Sequence, residues 1–240
     1  MTYIEDYAQV TAFHGHKCPG SAVGLRIAHV AISHLGRHGA DNEIVTVGET
    51  DACAVDSVQV LTGCTVGNRH MILQDNGKVA FTFWRVSDGA GLRVTAKPGS
   101  EAFRGDEAWT LAHKVEGGTA TDEERARFAQ GQAGRVQRIL AAPVDEILLI
   151  EPVADDAPTA KKSQPHAPCD GCDEPTSTAL LHDHRGRMLC PPCHLAAHGG
   201  VLPPDHAGHG HGHGHGHGHG PSHQDQHAQN HHGHGHLQHN

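Results

Sequence analysis

The sequence predicts an α+β fold: an antiparallel sheet packed with helices, followed by a small zinc-finger module and a disordered tail. Three observations predict it. Helical and strand-like periodicities occur in blocks over residues 1–152, hairpin chemistry separates the strands, and beyond residue 168 the chain changes to paired cysteines and then to alternating Gly and His. The expected organisation is an α+β domain over 1–152, a linker over 153–168, a four-cysteine module over 169–200 and a disordered tail over 201–240.

Residues 3–13 and 21–38 read as helices, the second with Val23, Ile27, Val30, Ala31 and Leu35 recurring at helical spacing and with Pro19 and Gly20 before it. "EIVTVGET" over 43–50 reads as a strand, and Asp51 is placed to cap the following helix, which runs out at Gly63. "HMILQD", the pair Asn76 and Gly77, and "KVAFTFWRV" predict a hairpin, and "LRVTAK" a further strand. Thr121 with Glu124 makes a capping box for a helix reaching about Leu140, and "EILLIEPV" closes the sheet. "VADDAPTAKKSQPHAP" has Pro, Ala and charge without periodicity, which is linker composition. The tail from His206 onward holds 14 of the 26 histidines and only three hydrophobic residues, too few to bury a core. Gly at every second position there opposes regular structure.

A formal net charge of −9 with His neutral argues against phosphate-backbone binding, so nucleic acid is not an expected partner. The N-terminal residues lack the basic and apolar regions of a secretory signal, and no run reaches the roughly 18 apolar residues of a membrane span. Seven cysteines, four of them in CxxC pairs, suit metal binding better than a disulfide framework. A cytoplasmic protein without a membrane partner is the expectation.

The strongest chemical signal is "CDGC" with "CPPC". Cys169, Cys172, Cys190 and Cys193 can surround one tetrahedral Zn(II), and four thiolates leave no open position for catalysis. A redox dithiol pair and an iron centre are the competing readings. His182, His184 and His194 lie nearby and read as surface residues. A second cluster, His14, His16 and Cys18 within "FHGHKCPG", joins Cys53 and Cys64 as imidazole and thiolate donors suited to Zn, Ni, Co or Cu rather than Mg or Ca; Cys53, at a helix start, gains from the helix dipole. The alternative is that Cys53 and Cys64 are buried thiols acting as small hydrophobes. In the tail, His209, His211, His213, His215, His217 and His219 are spaced so that a flexible chain can wrap several imidazoles around Ni(II), Zn(II) or Co(II). A purely solubilising tail is the other reading.

"FHGHKCPGSAVGLRIA" at 13–28, "DACAVDSVQVLTGCTVGN" at 51–68 and "DNGKVAFTFW" at 75–84 resemble the FmdE family, named for a component of formylmethanofuran dehydrogenase, and the resemblance covers about residues 5–152. It implies an α+β core, a homodimer and a core cleft formed by His14, His16, Cys18, Cys53 and Cys64. Some members carry a C-terminal treble-clef zinc finger, which the two CxxC pairs match. It also implies association with formylmethanofuran dehydrogenase, the molybdenum or tungsten enzyme that reduces CO2 onto a one-carbon carrier.

Two functions therefore stand side by side. One is a metal-binding accessory protein that handles or stores Ni, Zn or Co, with a metalloenzyme or metal transporter as partner. The other is an enzyme, or a subunit of a formylmethanofuran dehydrogenase-like complex in one-carbon metabolism.

Overall fold

The first two helices are set by their ends. Helix α1, Tyr3–His14, has Glu5 and Asp6 in its first turn and His14 in its last, each sign suiting the helix dipole, and Gly15 stops it with φ +88°. Helix α2, Pro19–Leu35, starts on a proline; the Cys18 sulfur accepts from the Ser21 amide, and the Ser21 side chain reaches back to the Cys18 amide. These elements belong to a computed structural model that describes residues 3–105, 107–159 and 164–200. The chain divides into two compact units, 1–163 and 164–240.

Strand β1, Ile44–Gly48, is buried along its whole length, and helix α3, Ala54–Thr62, follows it. Then come β2, Met71–Leu73, β3, Ala80–Arg85, and β4, Gly91–Ala96. A 3-10 turn at Glu101–Phe103 and helices α4, Ala108–Glu116, α5, Asp122–Ala141, and α6, Val144–Ile147, lead to strand β5, Leu148–Val153. The sheet order is β2-β1-β3-β4-β5; β1 pairs with β2 in parallel, and the other three pairings are antiparallel.

The predicted hairpin across Asn76 and Gly77 does not form. β2 and β3 both pair with β1, which lies between them, because a strand buried at every position must be hydrogen-bonded on both edges. Asp51 is likewise not the cap of α3; Cys53 holds that position without a side-chain hydrogen bond. α2 also ends earlier than expected, at Gly36 with φ +80°. The Thr121 and Glu124 capping box is present.

The core of this unit lies between the sheet and α2, α3 and α5, with Leu25, Ile27, Ile44, Leu61, Phe81, Phe83, Ile139 and Ile147 fully buried. Arg26 is buried too, and its guanidinium donates to the carbonyls of Ile139 (2.6 Å) and Leu140 (3.1 Å) near the end of α5. A cation there suits the negative end of the helix dipole.

The second unit holds two short hairpins and a helix: β6, His166–Pro168, with β7, Pro175–Ser177; β8, His182–His184, with β9, Arg187–Leu189; then α7, Pro191–Ala197. β6 falls inside the stretch whose composition reads as linker. Among the described residues, no helix is long and apolar enough to cross a membrane.

Candidate metal centres

Two clusters of donor atoms coincide with motifs singled out in the sequence. The first is built where three helix ends meet. His14 closes α1, Cys18 caps the start of α2, and Cys53 stands just before the first residue of α3. Their approach is close: a Cβ added at Gly20 would lie 3.0 Å from Cys53 Cβ, 3.6 Å from Cys53 Sγ and 3.9 Å from Cys18 Sγ. One donor atom each from His14, His16 and Cys18 falls within 4.8 Å of the others. The two imidazole rings lie 4.5 Å apart, centroid to centroid. His14 is half-buried, His16 exposed and Cys18 buried, so the cluster is anchored inside and open on one side.

Asp56 completes this arrangement and was not visible as a site residue in the sequence. Its Oδ2 lies 2.7 Å from His14 Nδ1, while His14 Nε2 lies 3.5 Å from Cys18 Sγ. The ring is thereby fixed between a carboxylate and a sulfur, and its pKa is raised, first by the Asp56 hydrogen bond against the opposing effect of burial. A carboxylate holding the far nitrogen is the usual support of a metal-binding histidine. The only sequence signal was its position, an acid in the first turn of the helix that Cys53 begins.

Cys18 is lowered to about 4, chiefly because the Cys53 thiol donates to its sulfur, with the Ser21 hydroxyl and amide and His14 adding to the effect against burial. Cys53 is pushed up by the same pairing and by desolvation, the reverse of what its place at a helix start suggested, because the Cys18 sulfur outweighs the helix dipole. Tyr7 fixes the loop from behind, its hydroxyl donating to the Cys18 carbonyl at 3.2 Å.

Cys64 is not brought to this group. It follows the opposite end of α3 from Cys53, is fully buried, and directs its thiol at the Ile44 carbonyl at 3.4 Å. Burial raises its pKa. Nine helical residues separate the two ends by about 13 Å at 1.5 Å per residue, which is why one cysteine reaches the cluster and the other packs as a small apolar side chain.

In the second unit, Cys169, Cys172, Cys190 and Cys193 converge, with ligand atoms within 4.8 Å of one another. Cys172 Sγ and Cys190 Sγ are 3.8 Å apart. Tetrahedral Zn(II) with bonds of about 2.3 Å separates its sulfurs by about 3.8 Å, so the spacing fits. Cys169 Sγ accepts from the amides of Gly171 (3.3 Å) and Cys190 (3.1 Å), and the Cys190 amide is the leading reason that this thiol is lowered to about 6. Gly171 leaves room for the turn, since a Cβ there would come within 2.9 Å of Cys193 Cβ and Sγ. His194, expected at the surface, is buried. The tail histidines His209, His211, His213, His215, His217 and His219 lie outside the described residues.

The family described as "FmdE, Molybdenum formylmethanofuran dehydrogenase operon" matches residues 13–149, a span that contains the whole first cluster. The chain belongs to the FmdE family. The FmdE fold is also seen in the crystal structure of a tungsten formylmethanofuran dehydrogenase FmdE-like protein from Syntrophus aciditrophicus, which superposes with a TM-score of 0.55 at 22% identity, covering 82% of this chain and 94% of that one. A curated relative of this FmdE protein from Archaeoglobus fulgidus, named "Probable S-adenosyl-L-methionine-binding protein", is 31% identical over 185 residues, 71% of this chain and 48% of the relative. The chain thus spans about half the length of that curated relative. The four-cysteine cluster and the histidine tail lie beyond the matched FmdE span.

Proposed function

We propose that this FmdE family protein is a metal-handling accessory protein, binding Zn(II), Ni(II) or Co(II) through His14, His16, Cys18 and Cys53, and a structural Zn(II) through its four paired cysteines. The observation that carries the reading is the Asp56 carboxylate on His14, which makes the histidine at the end of α1 an oriented donor beside a sulfur of low pKa. Thiolate with imidazole suits these ions better than Mg or Ca. A metal would supply Lewis acidity there when bound; the residues supply a preformed donor set and a buried anchor. The tail imidazoles add capacity rather than selectivity, because ligands without a rigid cage discriminate poorly. Homodimerisation, a cytoplasmic location and a metalloenzyme or metal-transport partner belong to the same proposal.

The test compares metal content in the full chain and two variants. Cys18→Ser is expected to lose about one tightly held ion per chain, and Asp56→Asn to weaken the same site by about 10–100-fold, the usual effect of removing such a support. Equal content in the parent and in Cys18→Ser would overturn the core site. The tail has a different signature. Ordinary histidine titrates near about 6.5, so tail-bound Ni(II) or Zn(II) is expected to leave gradually as the pH falls toward about 5. Calorimetric titration at both pH values checks this; an unchanged stoichiometry on deleting residues 201–240 would remove the tail from metal handling.

A second reading, a subunit of a molybdenum or tungsten one-carbon complex, is favoured by the family's description and by the exposure of His16, which leaves the cluster reachable from solvent. Turnover requires an open ligand position. Exchangeable water on Co(II) bound at the core site, seen by magnetic relaxation, supports this reading, and a fully closed site excludes it.

A further inference from the structure

The second unit contains a donor group apart from its four sulfurs. His184 ends β8, His194 lies within α7, and His198 caps the end of that helix. His194 and His198 are four residues apart and so share a helix face. His184 Nδ1 lies 3.2 Å from His198 Nε2, which lies 3.2 Å from His194 Nε2. One nitrogen from each ring falls within 4.8 Å of the other two. His194 is only 4% exposed, and the ring of His182 lies against it at a centroid separation of 4.9 Å.

Three imidazoles meeting at one point are hard to satisfy by hydrogen bonding alone. A ring nitrogen carries either one proton or one in-plane lone pair, so His198 Nε2 completes one of its two short contacts well and leaves the other as an approach of nitrogen to nitrogen. A shared cation satisfies both. A tetrahedral ion with metal–nitrogen bonds of about 2.0–2.1 Å sets its nitrogens about 3.3–3.4 Å apart, close to the separations found here.

We infer that His184, His194 and His198 form a second metal site in this unit, a three-imidazole set for a divalent transition ion such as Zn(II), Ni(II), Co(II) or Cu(II). Its character differs from that of the four-cysteine site. Four thiolates close a coordination shell, whereas three imidazoles leave the fourth position to water or an incoming ligand. His198 is exposed and His184 half-buried, so that position faces solvent and the ion can exchange. All-nitrogen donors also admit Ni(II) and Cu(II), which tetrahedral sulfur sites select against. The inference uses the four-cysteine site only as the scaffold that holds β8 and α7.

The test uses the full chain, loaded with Co(II) or Zn(II) and passed over a chelating resin to strip weak sites. The double variant H184A/H198A is expected to retain one ion fewer than the parent, while H166A, outside the group, retains the parental number. The sulfur-to-cobalt charge-transfer absorption of the four-cysteine site should be unchanged in the double variant, which shows that the unit has folded. Crystals of the full chain with Zn(II) should give an anomalous peak about 2.0–2.1 Å from the three ring nitrogens. Equal metal content in parent and double variant, with folding intact, would overturn the proposal, and a crystal peak without a loss in solution would mark an adventitious ion only. The part of the charge-transfer absorption that Cys190→Ser removes belongs to the four-cysteine scaffold, and what remains belongs to Cys18 and Cys53, so failure of that scaffold and failure of this site are distinguishable.

Discussion

Cys190→Ser is expected to unfold the second unit and leave the first folded. The buried apolar cluster of the second unit consists of Cys169, Leu189 and Cys190, with Leu181 and Cys193 packed against it, so three of its five members are themselves proposed ligands. Without metal such a cluster offers Leu181 and Leu189 against the ordering entropy of the whole module, which is of order 1–2 kcal/mol per residue. Structural Zn(II) in small finger peptides contributes an apparent 10–16 kcal/mol, roughly, at neutral pH. Removing one of four thiolates forfeits enough of that to melt a module of this size. The first unit has its own core of sheet and helices and should not respond. Limited proteolysis with a zinc assay decides the matter: a protease-resistant second unit carrying no zinc would sink the structural role.

Gly24→Ala is expected to be among the most damaging single changes in the first unit. A Cβ at this position would lie 2.5 Å from the Ala54 carbonyl oxygen, 2.7 Å from its Cα and 2.9 Å from its carbonyl carbon. These are backbone atoms, so no rotamer change relieves the clash, and α2 must separate from α3. Overpacking of this kind costs about 1–3 kcal/mol or more, against about 1 kcal/mol gained in helix propensity. The displacement would carry Cys53, the neighbour of Ala54, away from Cys18, so affinity at the core site should fall along with stability. Gly131→Ala, in α5 where an added Cβ meets nothing within 4 Å, provides the contrast: it should be neutral or stabilising by up to about 1 kcal/mol. Denaturant midpoints of the two variants measure the difference, and an unchanged midpoint for Gly24→Ala would refute the close approach.

What the sequence disclosed followed from how local each signal is. The Thr121 and Glu124 box spans one turn and was legible as written. The burial of β1 on both edges depends on β2 and β3 arriving from later in the chain, so the Asn76 and Gly77 pair suggested a hairpin that the sheet order forbids. At the core site the motif "FHGHKCPG" announced three donors, but the Asp56 contact to His14 bridges 42 residues and appears only when α1 docks on α3. The sequence offers both Cys53 and Cys64 as donors, although it already places them at the two ends of one helix; the length of that helix keeps Cys64 from the cluster. The burial of His194 has no local mark, since a histidine beside four cysteines looks the same in sequence whether it faces solvent or not.

The meeting of three helix ends at one point has a further consequence. An ion held by His14, Cys18 and Cys53 would act as a reversible clasp, tying α1 to the body of the protein much as a covalent staple does, but with a strength set by the surroundings. At a free-ion level of 100 times the dissociation constant, such binding adds about 2.7 kcal/mol to the folded state, and near zero when the ion is scarce. The N-terminal helix, whose Tyr7 and Val10 already pack in the core, would then be held more firmly as the metal supply rises. Supply of the ion would thus be written into the firmness of the chain itself, before any partner reads it.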